Sequence, residues 1–205
     1  MNILIFASTV IVAIIIAVTN KLTKVKTDDY MDSFWERERK ANFARKQDIE
    51  SLDYITVPDS ISSLPYNILD ANDSKTNEAI ANINMLKDKR MLNLSGYTNT
   101  DLKLTYGAAN INALTEYDGY YQTLVVSLQS LAEAFHNAND EDSAVVILEY
   151  ATNSGSDISK SYKLLADIYK NRNNVTALNE LKAKAEKLTS LTAPSIISYI
   201  NELLA

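Results

Sequence analysis

The apolar residues of this chain form two patterns, an unbroken run at the N-terminus and a helical spacing from about residue 73 onward. The run from Ile3 to Thr19 contains seventeen residues and no charge. As a helix it would reach about 26 Å, near the lower limit for a hydrocarbon core of about 30 Å. This pattern predicts a transmembrane anchor over residues 1–20.

The charges that follow the apolar run give the predicted anchor a direction. Lys21, Lys24 and Lys26 come directly after it, and no Lys or Arg precedes it. The positive-inside rule therefore predicts a single-pass protein of the cell membrane with its C-terminal body in the cytoplasm. Two alternatives stay open: an anchor with the body outside the cell, and a cleaved signal peptide.

A basic juxtamembrane helix is predicted over residues 21–47, with a helix start near Thr27. Its aromatic pair, Phe34 and Trp35, has two interpretations. In the first, the pair lies at the headgroup layer or against a partner helix. In the second, it belongs to an ordinary charged helix that docks its aromatic side chains on the body. Pro58 and Pro65 then predict an extended connector over residues 48–66. The connector would lay these apolar residues along the body: Leu52, Ile55, Val57, Ile61 and Leu64.

Residues 67–205 are predicted to form an all-helical body. The whole chain has only 4 Gly and 3 Pro, the two residues that most disfavour helices. Candidate helices lie at residues 73–92, 100–115, 118–137, 141–153, 158–171, 174–189 and 193–204. The last of them would cap the array and cover its final apolar edge. A tyrosine cluster at residues 117, 120 and 121 is interpreted as packing between helices, with an aromatic binding patch as the alternative.

A shift of the chain by thirty-four residues brings apolar positions into register. The matched pairs are Leu128 with Tyr162, Leu131 with Leu165, Ala132 with Ala166, Phe135 with Tyr169, Ala144 with Leu178, and Ala151 with Ala185. Leu148 meets Lys182 and is a mismatch, although Leu181 is adjacent. The small Ala132 and Ala166 would let a paired helix approach closely.

The Leu-Ala-x-x-Phe/Tyr pattern at this period resembles the tetratricopeptide repeat (TPR) over about residues 125–189. Ser156 and Ser190 stand where that family expects proline. The resemblance implies a TPR-like array of antiparallel helix hairpins that binds peptides, and a generic helical bundle is the alternative. The run from Phe34 to Arg39, with Leu52 to Pro58, also looks like a signature of membrane-anchored proteins of Gram-positive bacteria, which brings no known activity.

The TPR resemblance also implies a ligand groove, lined by outward positions of the first helix in each repeat. These positions are Val126, Gln129, Glu133, His136, Lys160, Lys163, Asp167 and Lys170. The three lysines would favour an acidic ligand, whereas Asp167 stands where a carboxylate-gripping version of the family has Asn. The alternative is a solvated helix face.

Catalytic chemistry has few candidates in this sequence. There is no cysteine, and the single histidine, His136, is predicted to be an exposed residue near a helix C-terminus. The acidic run at residues 140–142 is interpreted as a helix start, and the four glycines form no phosphate-binding loop. The sequence thus predicts no enzyme, metal or small-molecule cofactor, with a carboxylate enzyme as the weakest hypothesis.

Charge distribution bears on the partner. Residues 21–46 hold eight basic and five acidic residues, and the chain from Gln47 onward holds twelve basic and twenty-one acidic ones. A basic collar suits an anionic cytoplasmic leaflet, and an acidic body argues against nucleic acid. The leading hypothesis is a membrane-tethered adaptor or scaffold that binds a protein partner or peptide segment at the cytoplasmic face. The alternative is a structural subunit of a larger membrane protein complex.

Overall fold

Helices account for all the regular structure in the part of the chain that the structure describes. The computed structural model describes the backbone of residues 3–205, and the side chains at 3–11, 13, 14, 22 and 25–29 lie outside this description. Within it there are nine α-helices, two short 3-10 helices and no strand beyond an isolated bridge between Ile55 and Met91. The predicted all-α fold class is confirmed.

The α-helices are α1 (Ile3–Asn42), α2 (Asp59–Ser62), α3 (Ser74–Leu86), α4 (Asn99–Tyr106), α5 (Ile111–Asn137), α6 (Glu141–Asn153), α7 (Ser159–Asn171), α8 (Val175–Ala185) and α9 (Ala193–Leu204). The 3-10 helices are Tyr66–Ile68 and Ala108–Asn110. The chain divides into two units. The first takes in the chain up to Ile49 together with Thr98–Ile111, and the second comprises Glu50–Tyr97 and Asn112–Ala205.

In the first unit, α1 packs against the short helix α4. The guanidinium of Arg37 lies 2.5 Å from the Asp101 carboxylate. The Lys103 ammonium donates to the Asn42 side-chain oxygen at 2.8 Å. Beyond the end of α1 the chain continues along α4. These contacts place a stretch that the sequence assigns to the body, residues 98–111, beside α1 instead.

The sequence predicts a new helix near Thr27, and this prediction is wrong. α1 continues through that position without a break, from Ile3 to Asn42. The acidic residues after Thr27 resemble a helix start, but no Gly or Pro lies between Asn20 and Phe43 to end the preceding helix. A cap signal alone therefore does not interrupt a helix that can continue its backbone hydrogen bonds.

Across the described residues, no helix has both the length and the apolar character that a membrane crossing requires. The predicted anchor at Ile3–Thr19 falls mostly on positions whose side chains lie outside the description.

The predicted boundary between helices 100–115 and 118–137 is also wrong. The break comes earlier, at Gly107, which has φ +88°, and α5 then continues from Ile111 through Gly119 to Asn137. Two other predicted helices are too long at their C-terminal ends. The helix predicted over residues 73–92 ends at Leu86 in the structure, and the helix predicted over residues 174–189 ends at Ala185.

The thirty-four-residue period is visible in the backbone of the second unit. Asp140 caps α6 by accepting from the Ser143 N–H, and Asn174, thirty-four positions later, caps α8 by accepting from the Ala177 N–H. The turn before each cap has a left-handed asparagine, Asn139 with φ 60° and Asn173 with φ 53°. The helix pair α5–α6 therefore recurs as α7–α8.

The core of the second unit follows the same period. The matched apolar positions of the repeat are all buried: Leu128, Leu131, Ala132, Phe135, Ala144, Ala151, Tyr162, Leu165, Ala166, Tyr169, Leu178 and Ala185. The mismatch at Leu148 is resolved by its neighbour, because Ile147 is buried and Leu181 is its equivalent. Ile61 from α2 joins this core, and Ile55, Val57 and Leu64 pack against it.

Candidate functional site

A groove of about 400 Å³ lies between α5 and α7. Its walls are formed by Gln129, Glu133, His136 and Asn137 from α5, and by Lys160, Lys163, Leu164 and Asp167 from α7. Residues three and four apart share one face of a helix, so each set forms a continuous stripe. Six residues that the sequence selects as partner-binding are brought together here.

Two of the residues proposed for this face lie elsewhere. Val126 is exposed but does not line the groove. Lys170 is one turn too far along α7, and its ammonium donates to the backbone oxygen of Leu203 at the end of α9. The groove is also lined by Asn137 and Leu164, which the repeat pattern does not select. Each follows a selected residue by four positions, so helical spacing alone would have identified both.

A buried hydrogen bond joins the two walls of the groove. The Ser161 hydroxyl donates to the side-chain oxygen of Gln129, and both residues are buried. The Gln129 amide nitrogen donates in turn to Glu133 at 2.9 Å. Because Gln129 is satisfied within the protein, its role is to fix α5 against α7 and to position the Glu133 carboxylate.

Glu133 is the centre of the groove's charge network. Its carboxylate lies 3.1 Å from the ammonium of Lys75 in α3 and 3.9 Å from that of Lys160 in α7. Burial alone would raise the pKa of Glu133, but the Gln129 amide and the Lys75 ammonium hold this pKa below its usual range. Glu133 is therefore ionised at neutral pH.

The opposite end of the groove is bordered by Tyr199 from α9. Its hydroxyl donates to the Asp167 carboxylate at 2.6 Å, and this bond, with partial burial, raises the pKa of Tyr199 to about 12. The ammonium of Lys163 lies 5.2 Å from the centroid of the same ring, a cation–π contact. The groove lysines thus have internal partners, which reduces the attraction for an acidic ligand that three free lysines would give.

His136 differs from its predicted state. The sequence predicts an exposed histidine, and this is wrong because the side chain is half-buried against the groove. Its Nδ1 atom is fully buried and has no hydrogen-bond partner among the described residues. The reason is positional: His136 lies one and two turns after Glu133 and Gln129, on the face of α5 that faces α7.

The tyrosine cluster serves packing. Tyr121 is buried, and its hydroxyl accepts from the Asn93 amide at 3.0 Å and donates to the Ser154 backbone oxygen at 3.2 Å. Tyr117 makes an edge contact with Tyr54, with ring centroids 5.4 Å apart. No group of three or more potential metal ligands occurs in the described part of the chain.

Phe34 and Trp35 are exposed on α1, at 41% and 61% of their surface. Their rings pack edge to face with centroids 5.3 Å apart, so their main aromatic partner is each other. Both interpretations of this pair therefore stay predictions.

The comparisons with known proteins add no information about the groove. Neither the family models, nor the curated proteins, nor the solved structures gave a match to this chain. The resemblances to tetratricopeptide repeats and to anchored Gram-positive proteins therefore stay predictions from the sequence. The recurrence of helices and caps every thirty-four residues stands independently of them.

Proposed function

We propose that this protein is a membrane-tethered helical-repeat adaptor whose α5–α7 groove binds a segment of a protein partner. The observation that carries the proposal is the convergence on one open groove of six residues that the repeat pattern selects. The repeat of caps and core positions supports a TPR-like array. In such an array equivalent helices present equivalent faces, so the lining extends from one repeat to the next.

The chemistry of the groove favours a polar peptide of mixed charge. Its volume of about 400 Å³ falls in the range of about 300–1,000 Å³ that binding sites occupy. Asn137 offers an amide that can donate and accept, and Leu164 offers an apolar contact. Because the charged residues already have internal partners, binding would depend on shape and hydrogen bonds more than on net charge.

The tether is the second part of the proposal, and it rests on the sequence. The uncharged run Ile3–Thr19 and the lysines at 21, 24 and 26 support a single-pass anchor with the body in the cytoplasm. In this arrangement the anchor keeps the groove close to the inner membrane surface. A partner segment bound there would be concentrated at the membrane.

The groove is tested by site-specific photocrosslinking of the full chain in its own cells. A photoreactive residue at Asn137 or at Lys160, both exposed at the groove, is expected to give the same protein adduct. The matched control positions are Ala183 and Val175, which are exposed on α8 and line no groove wall. These positions are expected to give no such adduct.

Substituting Leu164→Trp supplies the second half of that test, because the larger side chain would fill the groove. The adduct from Asn137 is expected to fall at least about tenfold, which corresponds to about 1.4 kcal/mol of binding free energy. Equal adducts from groove and control positions, or an adduct that survives the filled groove, would show that the partner does not bind there.

The tether makes a separate prediction about topology. In spheroplasts an external protease is expected to leave the body intact, and in inverted membrane vesicles it is expected to digest the body. Replacing Lys21, Lys24 and Lys26 by Gln removes the charges that set direction, so part of the population is expected to become digestible from outside. Complete digestion of the unaltered chain in spheroplasts would place the body outside the cytoplasm.

One observation favours the alternative, a structural subunit of a larger membrane complex. Trp35 lies fifteen positions after Asn20 in one continuous helix, about 22 Å at 1.5 Å per residue. A headgroup layer is only about 5–8 Å thick, so an upright α1 would carry the exposed Phe34–Trp35 pair past it, within reach of another protein. A stoichiometric adduct from a photoreactive residue at Trp35, with none from Asn137, would favour this alternative.

A further inference from the structure

A second cavity, of about 520 Å³, lies in the same unit away from the groove. It is enclosed by the C-terminal ends of α6 and α8 and by the loop that contains Asn93. The residues that line it are Asn93, Ser95, Thr152, Asn153, Gly155, Asp157, Tyr162, Lys184, Lys187, Leu188, Thr189 and Ser190. The lining combines hydroxyl, amide and ammonium groups with a comparable area of apolar atoms, so it offers a ligand both polar and apolar contacts.

Tyr162 gives the first sign that the cavity is built for a ligand. Its ring packs in the core, and the residue lines the cavity. Its hydroxyl makes no hydrogen bond to the part of the chain that the structure describes. At the equivalent position of the preceding repeat stands Leu128, which packs without a polar atom. A hydroxyl that faces the cavity and makes no hydrogen bond within the protein can donate to or accept from a ligand there.

The lysines give the second sign. Lys184 is half-buried at the cavity wall, and Lys187 is exposed at its edge. Neither is in an ion pair within the part of the chain that the structure describes, whereas their neighbour Lys182 pairs with Glu186 at 3.9 Å. With Asp157 as the acidic residue of the lining, the two lysines leave an excess positive charge facing a polar space.

Part of the cavity wall is held in place by a packed loop. The Asn93 amide donates to the Gly155 backbone oxygen at 3.1 Å and to the Tyr121 hydroxyl at 3.0 Å. Gly155 has φ +82°, and a Cβ there would lie 2.9 Å from the Asn93 amide nitrogen. The wall is therefore preorganised, which lowers the entropy cost of binding.

We infer that this cavity binds a small soluble ligand with an oxyanion, a carboxylate or a phosphate, held by Lys184 and Lys187, with a polar group of the ligand bonded to the Tyr162 hydroxyl. The site is independent of the groove and of the proposed tether. Charge-assisted hydrogen bonds from lysine to an oxyanion are stronger than neutral ones, so the lysines supply most of the recognition.

The test is titration of the full chain in micelles of an uncharged detergent with inorganic phosphate, glycerol 3-phosphate and succinate, followed by amide NMR shifts. At least one of these probes is expected to bind saturably and to shift amides at 153–157 and 187–190. Glycerol is the uncharged control and is expected to cause no saturable shift. The double substitution Lys184→Gln with Lys187→Gln is expected to weaken binding by more than about tenfold.

Two further variants separate ligand recognition from fold. Tyr162→Phe removes only the hydroxyl and is expected to weaken binding by about three- to tenfold. Lys182→Gln lies on the same helix outside the cavity and is expected to leave binding unchanged. Saturable binding that survives the Lys184/Lys187 double substitution would overturn the inference. The absence of saturable binding by every probe would also overturn it.

A last arm distinguishes a soluble ligand from a membrane lipid that offers the same phosphate chemistry. A short-chain phosphatidate is added to the micelles and compared with glycerol 3-phosphate at equal concentration. Equal or weaker binding of the phosphatidate is expected, because the lysines would hold the phosphate of either probe and recognition would need no acyl chain. Much tighter binding of the phosphatidate would assign the cavity to a lipid headgroup and overturn the soluble-ligand inference.

Discussion

Replacing Phe135 by alanine is expected to lower the free energy of unfolding of the second unit by about 3–5 kcal/mol. Phe135 is 0% exposed, and its ring centroid lies 5.8 Å from that of Tyr66. The substitution removes apolar contacts and leaves a cavity that the surrounding helices fill only in part. The loss would also remove an aromatic pair that contributes about 0.5–1.5 kcal/mol.

The measurement is urea unfolding of the full chain in detergent micelles, monitored by far-UV circular dichroism. The dependence of the unfolding free energy on urea concentration is compared between variants. Phe135→Leu, which keeps most of the volume, is expected to cost less than about 1.5 kcal/mol. The repeat supplies a second control: Tyr169→Phe keeps the ring at the equivalent position and removes one hydrogen bond to Glu149, at a cost of about 1 kcal/mol. If Phe135→Ala cost no more than these two, Phe135 would not be a central core residue.

The success of the sequence in this region has a physical cause. The repeat, the caps at Asp140 and Asn174 and the apolar face of α7 are local signals, readable from spacing because burial and helical geometry act on neighbouring turns. The predicted helices 141–153 and 193–204 agree with α6 and α9 at both ends. Where neighbouring residues decide the structure, the pattern is sufficient.

The failures share a different cause, since each depends on residues distant in sequence. Gly107 and Gly119 look alike in sequence, but only Gly107 faces the backbone of residues 45–46 and takes a positive φ. His136 looks like a helix-end residue, yet the neighbouring α7 half-buries it. Lys163 and Lys170 look free, but their partners Tyr199 and Leu203 belong to α9, which no local pattern connects to α7.

The cavity at Tyr162 could be recognised only in part from the sequence. The alignment of Tyr162 with Leu128 already shows a polar atom at an apolar position of the repeat. What the sequence lacks is the space beside it, because that space is enclosed by the loop at Asn93 and by the ends of two helices. A deviation from a repeat is thus an indication of a site, and the tertiary structure decides whether a cavity accompanies it.

The substitution Gly107→Ala is expected to destabilise the first unit, by about 1–3 kcal/mol from backbone strain alone. Gly107 has φ +88°, and a Cβ there would lie 2.3 Å from the Arg45 backbone oxygen and 2.6 Å from the Lys46 Cα. Backbone atoms cannot move aside as a flexible side chain does, so residues 45–47 would have to separate from the end of α4. The hydrogen bond from the Gln47 N–H to the Tyr106 oxygen, at 2.9 Å, is expected to break.

Gly119→Ala is the matched control, with an effect of opposite sign. Gly119 lies within α5 and has nothing within 4 Å of its Cβ position, so alanine is expected to stabilise the helix by about 0.5–1 kcal/mol. Hydrogen exchange of the full chain distinguishes the two: Gly107→Ala should accelerate exchange at the Gln47 amide and leave core amides of the second unit unchanged. Unaltered Gln47 exchange in Gly107→Ala would contradict the close approach, because strain that large must be relieved where the two backbones meet.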